Sequence, residues 1–198
     1  LPRPTLEALV EFLFETLDCV KIGFLPSATL LATTLVGPGA SAIVVDVGCF
    51  RTHFGPVLSG KLDLELVDVA DFGGETCTRN MQEFLEESTN DHPRGVFAAQ
   101  DADWREYLAR RAKHKVGFVA AERNEQDDEE HLQRVAVDFA WATASGARAV
   151  IELRKESFLC VEDVVVQIGQ RLVQMASVLT DRGEQSALRH GIMTGGSA

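Results

Sequence analysis

The stretch "AIVVDVGCFRTHFGPVLSG", residues 42–60, decides the fold. Four apolar residues run into Asp46, Gly48 follows two positions later, and a second apolar run closes at Ser59-Gly60. Short apolar runs bounded by turn formers predict strand, tight turn, strand. The turn carries Asp46, Gly48 and Thr52. Two readings of it stand side by side. In one it is only a hairpin, with Asp46 bonding its own backbone. In the other, the amides of a glycine-containing turn make a concavity for an anion, and Asp46 holds a metal-bound water beside a phosphate.

Upstream, "TLEALVEFLFETLDC" (5–19) places apolar residues at helical spacing, with Thr5 as an N-cap and Glu7 in the first turn. "GFLP" (23–26) reads as a short strand followed by a turn. "SATLLATTLVG" (27–37) reads as a second helix, buried over much of its surface and stopped at Gly37-Pro38-Gly39. Downstream, "KLDLELVDVADF" (61–72) alternates apolar with acidic residues, the pattern of a half-buried strand over 62–69. Gly73-Gly74 end it, and "ETCTRNMQEFLEES" (75–88) is a helix. Residues 88–103 hold turn formers and form a loop. "WREYLARRAKHKVGFVA" (104–120), the most basic run, is a helix, and the charge run at 122–134 is a solvated insertion. A hairpin over 135–144 and 148–157 turns at Ser145-Gly146. A long helix spans 161–181, and "QSALRHGIMTGGSA" (185–198) passes from a helical end into a buried strand. Helices and strands alternate, which predicts an α/β layered fold.

The bulk numbers narrow the function. The 198 residues are 45% apolar and 25% charged, an ordinary globular profile. The net charge of -11 repels phosphate backbones and anionic lipid, which argues against nucleic-acid and membrane-surface partners. No run approaches the about 18 apolar residues of a membrane helix, and the first residues lack the basic-then-apolar order of a signal peptide. Cys19, Cys49, Cys77 and Cys160 are widely spaced and predict buried thiols of an intracellular protein. The five histidines show no metal-ligand spacing. The chain starts without methionine and stops at "IMTGGSA", so a fragment, or the ordered part of something longer, is expected.

The order of short motifs from "LPSATLLATTLVGPGASAIVVDVGCFRTHFGPVLSGKLDLE" to "DFGGETCTRNMQEFL" resembles the actin superfamily. There, a helix leads into a strand, an acidic glycine-rich turn ending in Thr-His, and a strand with a proline and a glycine. Asp46, Gly48, Thr52, His53, Pro56 and Gly60 keep those positions, and Gly74 matches the glycine opening the next helix. "EYLARRAKHKVGFVA" looks like the helix that carries adenine- and ribose-contacting residues, with Lys113 where a family lysine stands. "ESFLCVEDVV" resembles the segment before the family's long helix, and "IMTGGSA" the strand and glycine pair, Gly195-Gly196, closing over the adenosine. The similarity runs from about residue 10 to the end and corresponds to the middle of an actin-like chain.

The resemblance implies an actin-like (ribonuclease H-like) α/β fold with nucleotide between two lobes. Residues 1–38 would end the first lobe, residues 39–74 and 166–198 would form an inner α/β subdomain, and residues 75–165 would be an inserted outer subdomain. It implies ATP or ADP with Mg²⁺ as cofactor, bound through Asp46, Gly48, Lys113, Gly195 and Gly196, with Asp46 reaching the metal through water.

The pattern also departs from the family. Cys49 stands where a second aspartate is usual, and a thiol is a poor ligand for Mg²⁺, which takes hard oxygen donors. Phe50 replaces a glycine that lets the backbone approach phosphate. Thr29 takes the place of the glutamine that orients the attacking water, and His114 that of a carboxylate. Phosphoryl transfer depends on positioning, so negligible ATPase activity is expected. Plainer readings stand beside these. His53 reads as a satisfied core histidine, Lys113 as one charge on a solvated face, and Trp104 and Trp141 as packing residues.

The implied function is a non-catalytic actin-related structural subunit, cytoplasmic in a cytoskeletal assembly or nuclear in a chromatin-remodelling one, with actin-like or other protein subunits as partners. "FLFETLDCVKIGFLPSATLLATTL" looks nearer to the pointed-end type of the dynactin complex than to conventional actin. The alternatives are an ATP-binding and hydrolysing member of the actin, sugar-kinase and chaperone superfamily, and an unrelated α/β domain.

Overall fold

Ala42–Val47 form β1 and Thr52–Leu58 form β2, joined by the turn at 48–51. Their antiparallel register sets Ala42 opposite Val57 and Asp46 opposite His53. Alternation then sorts β1 between two faces. Ile43 and Val45 lie on one face and Ala42 and Val44 on the other, and all four are buried. A strand buried on both faces reads as a continuous apolar run, which is what residues 42–45 are. The computed structural model describes residues 3–88, 102–116, 135–138, 150–153 and 156–195.

The helix α1 (Arg3–Glu11) and a π-helical turn (Phe12–Thr16) precede α2 (Ser27–Leu35). Two short strands follow the hairpin, β3 (Lys61–Leu62) and β4 (Asp68–Ala70). Then come α3 (Gly74–Ser88), α4 (Ala102–Val116), a separate antiparallel pair of β5 (Val135–Asp138) and β6 (Val150–Leu153), and α5 (Glu156–Asp181). A 3-10 turn (Gln185–Arg189) leads into β7 (Gly191–Thr194). The main sheet runs β3-β2-β1-β7 with β4 also on β2. It is mixed, because β7 joins β1 in parallel while the other pairs are antiparallel. The α/β class expected from the alternation of elements is the class observed.

Each sheet face has its own cover. Ala32 of α2 packs with Ala42, Val44, Val57 and Ile192. On the opposite face, Val164, Ile168, Met175 and Leu179 of α5 pack with Ile43, Val45 and Phe54. The α5 residues recur at four, seven and four positions, the stripe that one helix face presents. Full burial of a Val, Ile or Phe side chain contributes about 1.5–3 kcal/mol, so these two layers anchor the sheet. Gly55 marks the closest approach of α2: a Cβ there would stand 3.1 Å from the Cβ of Ala28 and from Leu62 Cδ1. Pro56 sits inside β2 at no loss. Its carbonyl accepts from the Asp63 amide at 2.9 Å, so the residue faces the gap between β3 and β4, where no ladder N–H is needed.

Several sequence expectations are corrected. No strand forms over 23–26, and Phe24 and Leu25 are exposed there; a strand needs a ladder partner, and among the described residues none reaches this segment. The single strand expected over 62–69 is two strands. The Asp63 carboxylate accepts from the Glu65 amide at 3.0 Å and turns the chain between them, the local bonding that makes aspartate a turn former. The helix α2 is less buried than expected, with Leu30 and Leu35 exposed. The helix expected over 5–19 starts at Arg3 and ends in the π-helical turn, and no residue of either is buried. The long helix begins at Glu156, five residues earlier than expected. Only Ile192 of β7 is buried, because β7 is an edge strand and Met193 points outward. The expected turn at 145–146, the insertion at 122–134, most of the expected loop at 88–103, Trp141 and Gly196 lie outside the described residues.

Candidate functional site at the ends of β1 and β7

β1 and β7 are parallel and end side by side, with Asp46 opposite Thr194. His53 of β2 is the other neighbour of Asp46. Directly opposed residues share a sheet face, so His53, Asp46 and Thr194 form one polar row across three strands. The row lies on the α2 face, one step beyond Val44 and Gly55. The first turn of α2 covers the Val44–Gly55 level through Ala28 and stops there. Asp46 and Thr194 are therefore half-buried and His53 is exposed. Ligands of open α/β sheets bind at such carboxyl ends of parallel strands. Among the described residues the Asp46 carboxylate has no hydrogen-bond or ion-pair partner.

The reading of His53 as a satisfied core histidine is corrected: its register places it past the end of α2, in solvent. Thr52, one residue earlier, points to the opposite face and is buried, and its hydroxyl donates to the Phe72 carbonyl at 2.8 Å. Thr29 is half-buried in the first turn of α2.

The turn at 48–51 closes with the Gly48 amide donating to the Arg51 carbonyl at 2.9 Å. Its own carbonyls face α3. The Gly74 amide donates to Gly48 O at 3.0 Å and the Glu75 amide to Cys49 O at 2.7 Å. Thus two amides of the α3 N-terminus, which would otherwise lack intrahelical partners, are satisfied by the hairpin turn. Gly73 allows the approach, since a Cβ there would collide with the Gly48 carbonyl and lie 2.8 Å from Cys49 O. Cys49 is half-buried, whereas Phe50 is 71% exposed and projects from the tip. Arg51 pairs with Asp71 at 3.0 Å in solvent.

Gly195 follows β7 with φ +147, and a Cβ on it would run into the Val47 carbonyl. The end of β7 is therefore pressed against the end of β1, beside the turn. Lys113 lies deeper. It is only 7% exposed, and its ammonium donates to Gly74 O at 3.0 Å and to Thr78 Oγ1 at 3.1 Å. The reading of Lys113 as a charge on a solvated face is corrected. Its helix neighbours Leu108, Ala109 and Ala112 are buried, and the ammonium reaches across to the first turn of α3. Trp104 is exposed on the same helix and meets Tyr107 edge to face at 5.6 Å.

Asp46, Gly48 and Gly195 thus gather at one end of the sheet, and Lys113 connects to them through Gly74. The donor set suits magnesium only in part. Mg²⁺ prefers carboxylate, phosphate and water oxygens, and the turn offers the one carboxylate of Asp46 beside the thiol of Cys49. Among the described residues no group of three His, Cys, Asp or Glu side chains could hold a metal ion. The four cysteines are free. Burial raises the Cys77 thiol above its ordinary pKa and pushes Cys160 up to about 12; Asp163 adds to the rise at Cys77 and the Cys77 thiol to that at Cys160, and Lys113 opposes both. No described helix is long and apolar enough to cross a membrane. What sequence reasoning missed is the role of Gly73 and Thr78, since docking of α3 on the turn and of Lys113 on α3 is a tertiary event. No family model matches the chain, and no curated protein matches it.

Proposed function

We propose that this chain is the middle part of an actin-related protein that serves as a non-catalytic structural subunit of a multiprotein assembly. One observation carries the reading. Asp46, Gly48 and Gly195, the positions that resemble the actin phosphate turn and adenosine clasp, converge at the ends of β1 and β7, yet the turn between them presents Cys49 and Phe50. A soft thiol and an exposed aromatic ring favour neither magnesium nor a closely held γ-phosphate. Thr29, on the first turn of α2, is too short to hold a water where a glutamine amide would. On this reading ATP or ADP with Mg²⁺ is a structural ligand or is dispensable. The partners are actin-like or other protein subunits, in a cytoskeletal assembly of the cytoplasm or, alternatively, in the nucleus.

A second reading is favoured by the Asp46 carboxylate, which has no partner among the described residues: an ATP-binding and hydrolysing member of the wider superfamily, in which that group orders metal-bound water. Two measurements on the full-length protein separate them. The structural reading expects elution within a large assembly and no phosphate release from ATP. Phosphate release at an actin-like rate would overturn it.

A further inference from the structure

Cys77 on α3 and Cys160 on α5 are free thiols, buried at 7% and 0% exposure, and neither belongs to the site at the ends of β1 and β7. The two helices meet at their level. Asn80, one turn after Cys77, donates its side-chain amide to the Cys160 carbonyl at 3.4 Å and to the Asp163 carboxylate at 3.4 Å. A short side chain bonds the main chain of another helix only where the two helices are packed closely. Cys77 also shares its core cluster with Val164, one turn after Cys160. Residues one turn apart lie one above the other on a helix face. The two thiols therefore come from facing sides of one helix contact. Burial lifts the pKa of both; Cys77 adds to the rise at Cys160, and Lys113 opposes the rise at each. The Lys113 ammonium is fixed beside them by its bonds to Gly74 O and Thr78 Oγ1, on the turn of α3 that carries Cys77.

We propose that Cys77 and Cys160 form a modification site, a dithiol pair that a low-molecular-weight disulfide of the glutathione kind converts into a covalent bond between α3 and α5. Cys77, the less enclosed thiol, gives up its proton, and its thiolate attacks glutathione disulfide. An S–S bond forms as another breaks, and one glutathione leaves as thiolate. The Cys160 thiolate then attacks the Cys77 sulfur and expels the second glutathione. Each leaving thiolate takes up one of the protons released, so two protein thiols are oxidised and one glutathione disulfide is reduced to two glutathione molecules. A positive neighbour favours a thiolate, which is the part of Lys113. Entry of the reagent requires local opening of the α3–α5 contact, so the exchange is slow. The bond closes residues 77–160 into one loop, and cross-links over long loops restrict the unfolded chain most. It also fixes the helix whose first amides hold the turn at 48–51. The inference is independent of the nucleotide reading above.

The test incubates the native full-length protein with glutathione disulfide, alkylates the remaining thiols with iodoacetamide in urea, and maps linked peptides by mass spectrometry. The peptide holding Cys77 is expected to be joined to the one holding Cys160, with both residues lost from the alkylated set and both restored by dithiothreitol. The oxidised protein is expected to unfold at a higher urea concentration than the reduced one. Cys160→Ala is expected to gain no urea resistance from the same treatment. The proposal is overturned if Cys77 and Cys160 are still alkylated after oxidation, or if either ends bonded to glutathione or to another cysteine. It is equally overturned if the link appears only when oxidation is carried out in urea, if the oxidised protein is no more resistant than the reduced one, or if Cys160→Ala gains as much as the parent.

Discussion

The amide of Gly74 donates to the carbonyl of Gly48 at 3.0 Å, and this bond joins the tip of the hairpin to the first turn of α3. The carbonyl of Gly74 in turn accepts from Lys113. Three segments far apart in the chain are thereby held in one line, from the end of β1 through α3 to α4.

The inner end of that line rests on Thr78, whose hydroxyl accepts from Lys113 and donates to Gly74 O at 3.1 Å. Thr78→Val removes both bonds at nearly constant volume and leaves a buried ammonium one partner short. Hydrogen bonds to charged groups contribute about 1.5–3 kcal/mol. Urea unfolding is expected to show a loss of about 2 kcal/mol, with Thr78→Ser retaining most of the stability. A midpoint for Thr78→Val equal to the parent's would refute the account.

At the outer end, Gly73→Ala drives a methyl group into the carbonyls of Gly48 and Cys49. Backbone cannot yield as a flexible side chain does, so the turn must lift off α3. The expected loss is about 2–3 kcal/mol, in the range of overpacked core sites. Gly169→Ala, at an α5 glycine with open space around its Cβ position, serves as the control and is expected to be neutral or stabilising, since alanine is the better helix former. Thermal melts of the two variants check the contrast.

Cys77 and Cys160 make stability fall in alkali. Both thiols are held neutral in the folded state, with pKa raised by burial. In the unfolded chain a thiol ionises near about 8.5. Each contribution is therefore complete below that pH and is lost as pH rises, for Cys160 toward about 12. For Cys160 the slope approaches about 1.4 kcal/mol per pH unit. Denaturant midpoints measured between about pH 8.5 and 10 are expected to decline, and Cys160→Ala is expected to flatten the decline. The same burial predicts that maleimide labels half-buried Cys49 well before either of them.

The turn itself can be repaired. Cys49→Asp/Phe50→Gly supplies a hard oxygen donor and removes the exposed ring. Because Phe50 is in solvent and Cys49 only half-buried, folding should change little. On the proposed function, equilibrium dialysis of the full-length variant shows Mg-ATP affinity raised by roughly tenfold, the gain of about one charge-assisted contact. Phosphate release should stay negligible, because Thr29 is unchanged. Adding Asp46→Asn should cancel the gain. Unaltered affinity in the double variant would count against the nucleotide role of the turn.

The local chemistry was legible in the residues themselves. The apolar run 42–45, the glycine turn and the second apolar run announced β1 and β2, and the run 161–181 announced a long helix. Period and turn formers act within a few residues, so the chain alone carries them. The strand misread at 23–26 and the split of 61–70 show the limit. Whether an extended segment is a strand depends on a partner edge, and whether a run turns midway depends on a single Asp63 bond. The site divides in the same way. Asp46 and Gly48 could be picked out by their turn, but only the parallel pairing of β7 on β1 brought Gly195 to Val47 and Thr194 to Asp46. Lys113 read as a surface charge because its helix is basic throughout. Packing against α3 put it inside, since burial is a property of the assembled layers and not of the residue.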